Sequence, residues 1–186
     1  MSEPKQDDRQ RAELVYELTP QDLLHALRLH FRQHMGSRPG IIRFAVLWIL
    51  AVVAYGLIVA SIVDRSDAIV SILSFAAIAP FAIIGIPFLI VYTLGARTAR
   101  KTYSEQKTLR KPIHLSWSED GIHFKSDFGE ARLQWSDFLM ARQDRHCILF
   151  YESRRLYRLI PKRILTGEQA RDLQTLARKV ADHRGF

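Results

Sequence analysis

Between residues 154 and 163 the chain carries Arg154, Arg155, Arg158, Lys162 and Arg163 with no acidic residue among them. A guanidinium fork matches the paired oxygens of phosphate and carboxylate, so these five are the candidate binding residues, for an anionic lipid headgroup or an acidic face of a protein or peptide. A merely solvated basic face is the competing reading. His30 and His34 are four apart, the spacing that sets two imidazoles on one side of a helix, but no nearby cysteine or carboxylate completes a ligand set. Cys147 is the single cysteine, which excludes an intramolecular disulfide and suits a reducing compartment. Its neighbours Ile148, Leu149 and Phe150 suggest a small buried apolar residue rather than a nucleophile. There is no G-x-S-x-G elbow, Walker loop or H-E-x-x-H pair, and Asp127-Phe128-Gly129 reads as a hairpin turn. No catalytic residue, metal or cofactor is expected.

The net charge of +8 is unevenly spread. Residues 1–40 carry six basic and six acidic side chains, residues 41–94 two of each, and residues 95–186 carry 19 and 11, so the excess follows residue 94. Part of it is the stretch Arg97 to Lys111. Neither basic cluster interleaves aromatics as a nucleic-acid module does, so no nucleic-acid partner is expected.

These residues must be positioned around two long apolar runs. Ile41 to Val63 contains one charge, Arg43, and Ala68 to Leu94 contains none. At about 1.5 Å per residue either run, as a helix, crosses a hydrocarbon core of about 30 Å. Pro80 and Pro87 are expected to kink the second. Arg32, Arg38 and Arg43 lie before or at the start of the first run, and Arg97, Arg100, Lys101, Lys107, Arg110 and Lys111 follow the second. The turn Asp64-Arg65-Ser66-Asp67 holds one arginine beside two aspartates, so the positive-inside rule puts both termini in the cytoplasm of a multi-pass protein of the cell (inner) membrane. The lipid bilayer is thus one expected partner, and Arg43 an anchor that snorkels to headgroups.

Outside the spans, residues 1–10 have the composition of a mobile tail. Ala12 to Leu18 alternates as a strand. Thr19, Pro20 and Asp22 open a helix to about His34, with Leu23, Leu27, His30, Phe31 and His34 on one face, and Gly36, Pro39 and Gly40 break it. Ala96 to Leu109 continues the second span as a short helix until Pro112. Alternation then marks strands around Ile113–Trp117, Ile122–Phe124, Ala131–Trp135 and Phe138–Met140, with a turn at Gln143-Asp144-Arg145. Cys147–Tyr151 is apolar on both faces, as in a central strand, and Leu156–Ile160 precedes Pro161. Gly121 is expected at positive φ in a turn, and Trp117 and Trp135 as core or rim packing. Thr166-Gly167-Glu168-Gln169 is a capping box before a helix with the stripe Ala170, Leu173, Leu176, Ala177 and Val180.

The expected class is an α+β membrane protein. A two-helix transmembrane hairpin is joined to a cytoplasmic antiparallel β barrel or sandwich of pleckstrin-homology-like type, with a C-terminal capping helix. The N-terminal strand can join that sheet only if both hairpin ends emerge on one side. The expected division is residues 1–40 (tail, strand and amphipathic helix), 41–94 (hairpin, 41–63 and 68–94) and 95–186 (juxtamembrane helix and β domain).

The order of Tyr16-Glu17-Leu18-Thr19-Pro20-Gln21-Asp22-Leu23, two close spans, Trp117-Ser118-Glu119-Asp120-Gly121-Ile122, Leu133-Gln134-Trp135-Ser136-Asp137-Phe138 and Ile160-Pro161-Lys162-Arg163 resembles the YcxB-like family of small bacterial membrane proteins. The resemblance runs from about residue 12 to 180. It implies a membrane-tethered β domain and supplies no catalytic residues. The expected function is a membrane-anchored binding or regulatory module whose β domain recognises a protein, peptide or anionic headgroup at the inner leaflet. The alternatives are a membrane-associated enzyme and a small oligomeric transporter or channel, against which the spans offer no interior acid, lysine or histidine. Gly56 and Ala60 read as a close-packing pair between the two spans.

Overall fold

A computed structural model describes residues 12–62 and 64–184. The expected N-terminal tail, residues 1–10, and the last residue of the first apolar run, Val63, lie outside the described residues. The described chain divides into two compact units: one takes the chain up to Leu29 and again from Arg97, and the other is His30–Ala96.

In the first unit, β1 (Ala12–Tyr16), β2 (Ile113–Trp117), β3 (Gly121–Ser126) and β4 (Gly129–Gln134) form an antiparallel sheet in that order. The pairing Leu14 with Leu115 and Tyr16 with Ile113 brings the N-terminal strand to strands a hundred residues later. A second sheet has the order β7-β6-β5-β8, from β5 (Met140–Gln143), β6 (Cys147–Tyr151), β7 (Tyr157–Pro161) and the two-residue β8 (His183–Arg184), which runs parallel to β5. Among the described residues the two sheets share no ladder and do not close into one barrel, which corrects the closed-barrel option.

Every residue of β6 is buried, as its two-sided apolar composition demands of a covered central strand. From the first sheet Leu115, Trp117, Ile122 and Phe124 join the same core. Helix α1 (Pro20–Met35) contributes Ala26 and Leu29. With α2 (Arg38–Ala60) and α3 (Arg65–Glu105), α4 (Gly167–Ala177) brings the α-helices among the described residues to four. It begins at the Thr166–Gln169 capping box and buries Leu173, Leu176 and Ala177, with Val180 just beyond its end. Each buried leucine or valine here contributes about 1.5–3 kcal/mol relative to exposure.

Several local expectations shift. The buried side of α1 is Asp22, Ala26 and Leu29, one position round from the Leu23–Leu27–Phe31 stripe, because its partner surface includes a charged residue that an apolar count misses. Trp135 belongs to a 3-10 turn, Trp135–Asp137, where the Gln134 backbone N–H donates to Asp137 Oδ2 at 2.7 Å and ends β4. The following strand begins at Met140 and includes Gln143, so the turn moves to Asp144, whose Oδ1 accepts from the backbone N–H groups of His146 and Cys147. Gly121 has no positive φ; an added Cβ there would sit 2.2 Å from the Leu133 carbonyl oxygen, so close strand approach is what requires glycine. Both tryptophans are buried, with Trp117 Nε1 donating to Asp172 Oδ2 at 2.8 Å and Trp135 Nε1 to the Ser118 carbonyl at 3.2 Å.

The second unit is built on α2 (Arg38–Ala60) and the greater part of α3 (Arg65–Glu105). The break before α2 falls at Gly36 and Ser37; Gly40 lies inside the helix, where its N–H donates to the Ser37 side chain. Helix α3 continues through Pro80 and Pro87. Trp48 Nε1 donates to the Ala76 carbonyl at 3.0 Å, the Tyr55 hydroxyl and Ser71 are 2.8 Å apart, and Tyr55 stacks on Phe75. Gly56 meets Ile72 across the same contact. Both helices are long and apolar enough to cross a membrane, and their most apolar windows are 0% and 6% buried. They are not the covered core of this fold.

Candidate functional site

The structure separates the five candidate basic residues into different environments. Arg154 and Arg155 occupy the turn between β6 and β7, which closes when the Glu152 N–H donates to the Leu156 carbonyl and Ser153 Oγ accepts from the Leu156 N–H at 3.1 Å. Both arginines are exposed, and among the described residues neither side chain has an ion pair or hydrogen bond. Beside them Leu156 is 54% exposed, an apolar tip next to two cations.

Arg158 follows on β7, with Nε 2.6 Å from Glu152 Oε1 and its guanidinium over the Phe124 ring at 5.7 Å. It bridges the two sheets. Lys162 is half-buried at the other end of β7, where its backbone N–H donates to the His146 carbonyl. Burial holds its ammonium below the usual lysine range, against the opposing pull of Asp144. Arg163 is committed within the fold: Nη2 lies 2.7 Å from Asp22 Oδ2 and 2.8 Å from the Glu17 carbonyl oxygen. Among the described residues, Arg154 and Arg155 are thus the two arginines of the set whose side chains make no hydrogen bond or ion pair.

Sequence reading had no means of finding the concavity beside Arg158. A cleft of about 510 Å³ is lined by residues from β1, α1, β2, the β3–β4 hairpin and β7. Its apolar lining includes Leu18, Leu23, Leu109, Ile113 and Phe124. Lys125 and Arg158 supply cationic groups, Glu130 a carboxylate paired with His123 and Arg132, and Phe128, 60% exposed, stands on the hairpin turn. Across it the Tyr16 hydroxyl donates to the Leu159 carbonyl at 3.1 Å. Burial pushes the Tyr16 hydroxyl well above the ordinary tyrosine range, so it is a fixed donor rather than an acid–base group. The alternation of β3 placed Phe124 inward and Lys125 outward, but nothing local indicated that β7 would lie opposite.

Cys147 is 1% exposed, and burial, reinforced by Asp144, raises its thiol far above neutrality. It is a core residue. His30 and His34 stack with centroids 5.7 Å apart, and burial followed by the His34 charge keeps His30 below the usual histidine range. A second pair was not foreseen: His25 of α1 stacks on His146 at 3.8 Å and 11°, while Arg145 Nε donates to His146 Nε2 at 2.8 Å.

Comparison with curated proteins and with solved structures finds no significant match. The family model of the YcxB-like protein matches residues 117–177. That span runs from the end of β2 to the end of α4 and contains the Trp117, Trp135 and Ile160-Pro161-Lys162-Arg163 segments; Tyr16–Leu23 and the two apolar helices lie outside it.

Proposed function

We propose that this protein, whose residues 117–177 form a YcxB-like domain, is a membrane-anchored binding module that reads anionic headgroups at the inner leaflet. In this reading α2 and α3 cross the cell membrane as a hairpin and both termini are cytoplasmic. The exposed apolar surface of the two helices supports the crossing, since Leu57 at 71% and Phe81 at 79% exposure belong in hydrocarbon rather than water. The β unit is then a pleckstrin-homology-like sandwich. Support for that comes from the order β1-β2-β3-β4 against β7-β6-β5, followed by a C-terminal helix on the core.

The observation that carries the binding role is the β6–β7 turn. It presents Arg154 and Arg155 without internal partners beside exposed Leu156, while the neighbouring Arg158 and Arg163 are held by Glu152 and Asp22. A basic residue near an anionic leaflet gains about 1 kcal/mol, and a covalent tether replaces a bimolecular encounter by a high local concentration. Two arginines therefore suffice for a measurable, salt-sensitive contact.

Hydrogen exchange on the full chain in nanodiscs tests this. Amides of residues 152–157 should exchange more slowly in discs containing phosphatidylglycerol than in phosphatidylcholine discs, and the difference should vanish in high salt and in Arg154→Glu/Arg155→Glu. Equal exchange in both lipids at low salt would remove the headgroup role.

A further inference from the structure

The 510 Å³ cleft lies within the range of small-molecule sites, and its chemistry is amphiphilic. One part is aliphatic and aromatic, from Leu18, Leu109, Ile113 and Phe124. Its charged part is Lys125, Glu130 and Arg158: Arg158 is already paired with Glu152 and Glu130 with His123 and Arg132, whereas Lys125 is exposed and, among the described residues, has no ion pair. A ligand matched to this lining has an apolar chain and an anionic group.

An added peptide strand is the other occupant such a sheet opening invites, and the edge of β7 argues against it. Arg158 and Ile160 pair with Phe150 and Ile148 of β6, the Lys162 N–H donates to the His146 carbonyl and the Glu152 N–H donates to the Leu156 carbonyl. This alternation turns the backbone of Tyr157, Leu159 and Pro161 outward. Of these, the Leu159 carbonyl already accepts from the Tyr16 hydroxyl, and Pro161 has no N–H to offer. The outward edge is interrupted where a peptide would need it continuous.

We infer that the cleft holds one anionic phospholipid drawn from the bilayer, with an acyl segment against Leu109, Ile113 and Phe124 and the phosphate at Lys125. The inference rests on the membrane-anchored reading. It takes its source from chain continuity, because Leu109 follows the second apolar run, which ends at Leu94, by only fifteen residues and the cleft is therefore tethered to lipid. Phe128 at the hairpin turn covers the chain as it enters.

The test uses full-length protein in nanodiscs containing phosphatidylglycerol with a diazirine on one acyl chain, followed by irradiation and peptide mapping. Label is expected in the peptides holding Leu109–Ile113 and Phe124–Ala131, in addition to α2 and α3. Ala131→Trp and, independently, Leu109→Trp narrow the cleft and should remove the cleft label while leaving that on α2 and α3. Lys125→Glu should lower cleft labelling by the phosphatidylglycerol probe about fivefold, the equivalent of one lost headgroup contact, and in the unmutated protein a phosphatidylcholine probe, whose choline offsets its phosphate, should label the cleft less than phosphatidylglycerol does. Label confined to α2 and α3 overturns the inference, and so does a cleft labelled by diazirine palmitate but not by either phospholipid. Cleft labelling that persists when residues 152–157 show no lipid-dependent protection upholds the cleft and rejects only the arginine turn.

Discussion

Arg163 and Asp22 are 141 residues apart in sequence, yet Arg163 Nη2 lies 2.7 Å from Asp22 Oδ2 and Nε 3.1 Å from Oδ1. The same carboxylate accepts from the Thr19 N–H at 2.8 Å, closing the first turn of α1. One nearly buried side chain thus caps the helix and fastens it to the end of β7. The helix that leads toward α2 is held by the β unit through this carboxylate.

Asp22→Ala removes both roles and should cost about 2 kcal/mol, the size of a lost cap plus a charged hydrogen bond left open. Arg163→Met should cost less, since that guanidinium is half exposed and the Thr19 contacts survive. Chemical denaturation of the detergent-solubilised chain, followed by tryptophan fluorescence, measures both.

Burial alone would raise the Asp22 carboxyl, but the hydrogen bonds from Arg163 and Thr19 outweigh it and hold the group below its ordinary 3.8. A depressed carboxyl contributes stability that is present above the unfolded value and lost as pH falls through the folded one. The Asp22→Ala penalty should therefore be constant near neutrality and shrink only once pH drops below 3.8. A penalty that already faded between neutrality and about pH 5 would assign the effect to a histidine instead.

His25 behaves in the opposite range. Burial, then the facing His146, holds its imidazole below the ordinary 6.5, with Arg28 adding to the depression and Asp144 and Asp22 opposing it. Arg145 Nε donates to His146 Nε2 at 2.8 Å beside this pair. The folded value being lower, the stacked pair stabilises fully above 6.5 and progressively less as pH falls through it. Exchange of the α1 amides, corrected for intrinsic rate, should quicken at about pH 5.5 relative to about pH 7.5, and His25→Gln should flatten that dependence.

Gly121→Ala places a Cβ against the backbone oxygen of Leu133, an atom that cannot rotate away. The β3–β4 ladder must shift, at a cost of about 1–3 kcal/mol. Gly167→Ala, with open space around the Cβ, is the matched control and should be close to neutral in the same denaturation experiment.

Features carried by near neighbours were legible in the sequence. The two apolar runs, the Thr19 and Thr166 caps and the all-apolar Cys147–Tyr151 strand each declare themselves within a few residues, and each has a counterpart in the fold. Features made by distant partners were not. Arg142 sits where alternation gives no reason for a buried cation, and it is 3% exposed because Asp182, forty residues later, receives its Nη2 at 2.6 Å. The α1 face was displaced for the same reason, through Asp22 and Arg163. Among the candidate binding residues, equal charge concealed unequal circumstance: Arg154 and Arg158 look alike in sequence, and only Glu152 and Phe124 set them apart.

We propose that α2 and α3 form a membrane hairpin inserted between two strands of one cytoplasmic domain, and labelling from the two faces of the membrane tests this most directly. Glu13→Cys, Ser66→Cys and Glu119→Cys, each in a Cys147→Ala background, report on β1, the first turn of α3 and the β2–β3 turn. Labelled with a membrane-impermeant maleimide in inverted and right-side-out vesicles, positions 13 and 119 should react only from the cytoplasmic face and position 66 only from the opposite one. Reaction of all three positions from the same face would contradict the claim.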